Sequence, residues 1–195
     1  MRYAEFQVTT HFSFLRGASS AEELFPTAAV LGIDALGIVD RNTLAGIVRA
    51  WEAAKTTGVR LVVGCRLDLS DGMSILVYPT DRPAYSRLCR LLSLGKSRGG
   101  KGNCVLDFSD VAQYADGLIA VLVPDEADET CGMQLRKLAE LFDDRAYVSL
   151  CPGVGRTTGC ASMVFRPWRP ASKFGQLSPT TCCFTSLPAA SYRTS

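Results

Sequence analysis

Not one aspartate or glutamate follows Asp144 in this chain of 195 residues. All 19 acidic residues lie at or before that position, whereas six of the 21 Lys and Arg lie from Arg145 onward. Four of the eight cysteines (Cys151, Cys160, Cys182 and Cys183) and five of the nine prolines follow Leu150. Hydrophobic periodicity stops at the same place. A globular surface normally mixes both signs of charge and repeats an apolar side toward its core. The fold is therefore expected in residues 1–150, and residues 151–195 read as a disordered tail. Two readings of that tail compete: a basic segment that touches nucleic acid, or a segment never selected to fold.

Residues 1–150 show a regular alternation. A strand is expected over 6–8, then a capping box, Ser20-Ala-Glu-Glu23, opening a helix that ends near Gly32. A buried strand over 35–39 is followed by a loop and a helix through Ala54, stopped by Gly58. Another strand runs over 59–65, and Asp71-Gly72 turns a hairpin between 66–69 and 74–78. Helices over 82–95 and 131–142 enclose a strand over 118–123, and a last strand covers 146–150. Strands alternating with helices imply an α/β fold with a mainly parallel sheet or barrel.

Composition narrows the function classes. Hydrophobic residues are 47% and charged residues 21%, which fits a packed core rather than disorder. A net charge of +2 gives no general pull toward nucleic acid or membrane. No apolar run approaches the ~20 residues of a membrane span, and the amino terminus lacks a basic segment followed by an apolar one. A cytoplasmic location and no membrane contact are the expectation. Cys65, Cys89, Cys104 and Cys131 show no paired spacing, so reduced thiols are expected rather than zinc or disulfides.

In α/β folds, sites gather at the carboxyl ends of strands. Three such ends carry polar groups here: Gln7, Thr9 and His11; Asp40 and Arg41; Cys65 and Arg66. A divalent ion wants converging imidazoles and carboxylates. One imidazole, one carboxylate and two guanidinium groups make a poor cage, since the guanidiniums repel a cation. His11, the only histidine, reads as a surface or capping side chain, and Asp40 as a loop or cap residue. Arg41 and Arg66 could bind a phosphate, but pairing with Asp40 or Asp68 is the blander account. The Lys96-Ser-Arg-Gly-Gly-Lys-Gly102 run lacks the spacing of a phosphate-binding P-loop and reads as a flexible basic loop.

Three segments carry a resemblance. Phe6-Gln-Val-Thr-Thr-His-Phe-Ser-Phe-Leu-Arg-Gly-Ala18, Ala35-Leu-Gly-Ile-Val-Asp-Arg-Asn-Thr-Leu-Ala-Gly46 and Gly58-Val-Arg-Leu-Val-Val-Gly-Cys-Arg66 resemble the opening of a PHP (polymerase and histidinol phosphatase) domain. Such a domain stands at the amino terminus of bacterial C-family DNA polymerases, and the error-prone branch is the most similar. The resemblance runs in order from Met1 to about Leu150. It implies a distorted β/α barrel, only partial here, with an open edge and an apolar face prone to aggregation.

The resemblance also implies what is missing. Where metal-bearing PHP domains carry His-x-His, this chain has Gln7 and Thr9; where they carry Asp-His, it has Asp40 and Arg41; for the Glu of Gly-Cys-Glu it has Arg66. The implied site is degenerate, with no metal, no cofactor and no catalytic residue in this chain. A structural role in an error-prone polymerase of damage-tolerant (translesion) synthesis and repair follows, with the palm domain of polymerisation lying beyond residue 195. Implied partners are the rest of such a polymerase chain, DNA, and replication or mutagenesis accessory proteins. The alternatives are a metal-dependent PHP phosphoesterase or 3'-5' exonuclease, and a stand-alone interaction module.

The resemblance bears on the tail as well. Read one frame out, codons for Pro179-Thr-Thr-Cys-Cys-Phe-Thr-Ser-Leu-Pro-Ala-Ala-Ser-Tyr-Arg193 permit Asn-Asp-Val-Leu-Phe-His-Val-Pro-Ala-Arg-Arg-Ile-Leu-Gln, similar to what error-prone polymerases carry at that depth. A frameshift between about Leu150 and Pro152, giving an out-of-frame tail over 151–195, is the resulting expectation.

Overall fold

The computed structural model describes residues 3–124 and 129–149, and the backbone of the two-residue strand at 166–167. Its elements are β1 (Tyr3–Val8), α1 (Ala21–Val30), β2 (Ile33–Ile38), α2 (Ile47–Thr57), β3 (Arg60–Val63), β4 (Cys65–Asp68), β5 (Ser74–Pro79), α3 (Arg82–Gly99), α4 (Phe108–Tyr114), β6 (Leu118–Leu122), α5 (Glu129–Phe142), β7 (Ala146–Val148) and β8 (Arg166–Pro167). A single 3₁₀ turn, Asp143–Arg145, links α5 to β7.

The first sheet, in the order β1-β2-β3, is entirely parallel. Helices α1 and α2 cover one of its faces, burying Phe25, Ala28, Leu36, Ile38, Ile47 and Ala50 together. Helix α1 begins at the capping box, where Glu23 Oε2 accepts from the Ser20 backbone N–H at 2.8 Å. The second sheet, β4-β5-β6-β7-β8, is mixed: β4, β5 and β6 run antiparallel, β6 and β7 parallel, β7 and β8 antiparallel. Its core lies under α3, α4 and α5, around Leu67, Ile75, Leu88, Leu91, Leu118 and Phe142.

The expected strand over 59–65 is in fact two strands that join the sheets. The chain pairs with β2 through β3, kinks at Gly64, and pairs with β5 through β4. A Cβ on Gly64 would stand 2.7 Å from both the Tyr78 ring and Val39 Cγ1. Only glycine lets the strand cross so close to the interior, the usual place for glycine where a strand changes sheets. A small cluster of Val39, Leu76, Tyr78 and Val121, with Phe6 packed against it, fills the space between the sheets. Tyr78 Oη donates to Phe6 O at 2.7 Å, tying the second sheet to the first.

Three expectations need correction. The sheet is not mainly parallel throughout, because the 71–72 hairpin and the β5–β6 pairing reverse direction. Lys96–Gly99 is helix rather than loop: Lys96 and Arg98 sit in the last turn of α3, where cations suit the helix dipole. The tail also contributes a regular element, since β8 adds to β7 within the segment expected to be disordered. An outer strand tolerates proline because its outward N–H needs no partner. Otherwise the disordered tail expected over 151–195 lies outside the described residues. Among the described residues, β1 pairs on one side only, and no helix is long and apolar enough to cross a membrane.

Candidate functional site

The ends of β1 and β2 and the β4–β5 hairpin surround a cleft of about 350 Å³, lined by Thr9, Arg16, Arg41, Arg66, Asp68 and Ser74 among others. One carboxylate, Asp68, lines it and another, Asp40, lies buried beside it, and the two are held in opposite ways.

Asp40 lies just past the end of β2, buried, beneath the turn that follows β1. Its Oδ1 accepts from the Thr10 backbone N–H at 2.8 Å and from Ser13 Oγ at 2.8 Å, and its Oδ2 accepts from Thr10 Oγ1 at 2.7 Å. Each hydroxyl is used again: Ser13 Oγ accepts from the Arg41 N–H at 2.9 Å and Thr10 Oγ1 from the Phe12 N–H at 3.2 Å. Thus Asp40 pins the 10–13 turn to β2 with neutral donors. Gly46 closes this nest from the start of α2, where a Cβ would stand 2.9 Å from Asp40 Oδ2 and 3.1 Å from the Phe12 ring.

Asp68, at the end of β4, faces the cleft between guanidiniums. Arg66 Nε donates to its Oδ1 at 3.0 Å, Ser74 Oγ donates to the same oxygen at 2.6 Å, and Arg41 Nε pairs with Oδ2. Arg66 also reaches Ser74 Oγ at 3.1 Å. Burial alone would raise the Asp68 pKa, but the Ser74 hydrogen bond and the charges of Arg66 and Arg41 outweigh it and hold the carboxyl below its ordinary value. A parallel bridge brings the two arginines side by side: the Arg66 N–H donates to Asp40 O at 3.1 Å, and the Asn42 N–H to Arg66 O at 2.7 Å.

The residues singled out in the sequence thus divide. Thr9, Arg41 and Arg66 line the cleft, and Asp40 is buried beside it. Gln7 is not in the lining; its N–H donates to Glu5 Oε1 at 3.1 Å within β1. His11 also lies outside, its N–H bonded to Ser19 O at 3.0 Å and its ring tilted against Phe12 at 4.5 Å between centroids. Both arginines pair with Asp68 and neither with Asp40. Cys65 is buried with its thiol against the Asp40 and Thr43 carbonyls, and burial drives its pKa far up, which favours the thiol over the thiolate. Sequence reasoning missed Thr10, Ser13 and Ser74; the Thr-x-x-Ser spacing after β1 is the signal that could have found the first two.

As a metal cage the donor set fits badly. Asp40 spends both oxygens on protein donors, Asp68 is neutralised by two cations, and no three His, Cys, Asp or Glu converge among the described residues.

The family model of the PHP domain matches residues 5–147. The chain belongs to the PHP family. Similar curated proteins are the error-prone DNA polymerase 2 of Rhizobium meliloti, 77% identical over 151 residues, and the error-prone DNA polymerase 3 of Agrobacterium fabrum, 74% identical over 151 residues. The error-prone DNA polymerase of Caulobacter vibrioides is 50% identical over 149 residues. The first two matches cover 77% of this chain and 14% of the relative, so the chain spans about a seventh of their length. Among solved structures, a protein described as a metal-dependent phosphoesterase from Bifidobacterium adolescentis aligns with a TM-score of 0.54 and 14% identity over 70% of this chain and 74% of its own. An amidohydrolase from Chromobacterium violaceum, solved with sulfate and no metal, aligns with a TM-score of 0.55 and 14% identity over 73% of this chain and 74% of its own. These establish a shared α/β fold for the PHP domain.

Proposed function

We propose that this PHP domain serves an error-prone DNA polymerase of damage-tolerant synthesis and repair in the cytoplasm, as a structural support whose ancestral metal site has been lost. The observation that carries this reading is the Arg41–Asp68–Arg66 arrangement across the cleft. Where the family resemblance puts metal ligands, two fixed cations share one carboxylate. The palm carboxylates of polymerisation are expected outside these residues. The working unit is residues 1–150, in keeping with a family match that ends at 147 and a high-identity match of 151 residues. Residues 151–195, which lack acids, are read as out of frame; resequencing across codon 151 tests that.

The second reading, a metal-dependent phosphoesterase or 3'-5' exonuclease, draws on the fold shared with the Bifidobacterium protein. Elemental analysis of the purified chain after dialysis against zinc, manganese and magnesium separates the two. The structural reading expects far less than one ion per chain. One or more tightly held ions, together with hydrolysis of a phosphate ester that a chelator abolishes, would establish the enzyme instead.

A further inference from the structure

Charge is distributed unevenly along the sequence. Residues 1–144 hold 15 Lys and Arg against 19 Asp and Glu. Within that stretch, residues 82–101 hold six cations (Arg82, Arg87, Arg90, Lys96, Arg98 and Lys101) and no acid, so the remainder carries nine cations against all 19 acids. Helix α3 is therefore a unipolar positive element on an otherwise acidic body.

The structure sorts these six. Arg87 pairs with Asp116 at 3.2 Å and Arg98 with Asp110 at 2.6 Å. Arg82, Arg90, Lys96 and Lys101 are exposed and make no ion pair among the described residues. Helix α3 buries Ala84, Leu88, Leu91, Leu92 and Gly95 against the second sheet and α4. At about 100° per residue, the opposite face presents Arg82, Ser86, Arg90, Ser93, Lys96 and Ser97. Each of these is exposed. Nothing on that face is acidic or bulky. Ser93 and Ser97 even fold back onto helix carbonyls at 2.8 and 2.7 Å, which keeps the surface between the cations low. The dipole accounts for Lys96 at the carboxyl end but opposes Arg82 in the first turn. A face shaped only for solvation would interleave Glu with Lys and Arg at i,i+4.

We propose that the outer face of α3 binds the phosphate backbone of nucleic acid without reading its sequence. Arg82 to Lys96 spans about 21 Å of helix at ~1.5 Å per residue. That length matches about six phosphates of one duplex strand at ~3.4 Å each. Arginine forks suit phosphate oxygens, and lysine adds a point charge. A remainder in which acids outnumber cations also helps orient an approaching polyanion toward this face. This inference stands on charge and exposure alone and does not depend on the polymerase reading.

The test is fluorescence anisotropy of the full chain with labelled duplex and single-stranded oligonucleotides over 50–200 mM salt. Four phosphate contacts, with Lys101 just past the end of α3 as the fourth, predict a loss of about hundredfold in affinity across that range, against only about fourfold for the triple variant Arg82→Gln/Arg90→Gln/Lys96→Gln. The control variant Arg49→Gln/Lys55→Gln/Arg60→Gln, on exposed positions of the first sheet's side, should keep the wild-type salt slope. The single reversal Arg90→Glu should weaken binding more than Arg49→Glu, with an unchanged melting curve. Equal losses in triple variant and control, tighter binding to an acidic peptide than to either oligonucleotide, or no binding at 50 mM salt would each overturn the proposal.

Discussion

Asp68 lines the cleft wall and Asp40 lies buried in the wall beside it; both are carboxylates, yet they are satisfied by different chemistry. Asp40 is sealed under the 10–13 turn, and its three donors are an amide and two hydroxyls. Asp68 is open on one side and is held by Arg41, Arg66 and Ser74. Neutral donors fixed in a buried turn are lost only if the turn opens, whereas guanidiniums with exposed stems answer to salt and pH. The Asp40 wall should therefore carry stability and the Asp68 wall only modulate it.

The largest effect expected is that of Asp40→Ala. It strands the Thr10 N–H and two hydroxyls in a buried site, at about 3 kcal/mol after partial re-pairing. Urea denaturation should show the midpoint fall with an unchanged slope, and 1 M salt should not rescue it. A loss below ~1 kcal/mol would mean the turn is anchored elsewhere. Next comes Gly46→Ala, whose Cβ would press on Asp40 Oδ2 and the Phe12 ring. Overpacking of this kind costs about 1–2 kcal/mol, and the double variant with Asp40→Ala should cost less than the two singles together, because the clash disappears with the carboxylate.

How far the sequence foresaw this contrast depends on the range of the interactions. Helix α1, the ending of α2 at Gly58 and the 71–72 hairpin were legible because capping boxes, glycine stops and turn residues act within a few positions. Helix α4 was missed, being only seven residues long and defined by a box from Asp107 to Asp110 rather than by a period. The split of one expected strand at Gly64 was invisible because its cause, the Tyr78 ring, lies 14 positions away in sequence. For the site, Thr9, Arg41 and Arg66 do line the cleft, but Gln7 lies inside β1, Cys65 and Arg66 begin β4 rather than ending a strand, and which arginine meets which carboxylate was not legible. Asp40 adjoins Arg41 in sequence whereas Asp68 lies 27 positions further on, and only the β4–β5 wall puts Asp68 within reach of both guanidiniums.

Asp68→Asn should cost about 1 kcal/mol at pH 7, discounted because Arg41 and Arg66 remain partly solvated. Its pH dependence has a definite sign. The folded carboxyl titrates below its ordinary 3.8, so the folded state binds fewer protons than the unfolded state as pH falls through that region. The stabilisation is complete above the ordinary value and is lost as pH drops toward the folded one. Melting curves of wild type and Asp68→Asn should thus differ at pH 7 and converge in acid. A gap that widens on acidification would reverse the assigned direction.

The smallest effect is the most discriminating between the two walls. Arg41→Gln removes one guanidinium whose side chain is 44% exposed, and leaves Arg66 and Ser74 on Asp68 Oδ1. The backbone N–H of Arg41 still donates to Ser13 Oγ, so the Asp40 nest is untouched. Asp68 Oδ2 then turns to water, at a cost of about 0.3 kcal/mol, typical of exposed pairs. At 1 M salt, with screening over ~3 Å, the difference from wild type should vanish. Chemical denaturation in urea at low and high salt resolves this, since urea adds no ions. If Arg41→Gln instead cost as much as Asp40→Ala and ignored salt, Arg41 would be a structural member of the buried nest, and the division between a stabilising wall and a modulating one would fail.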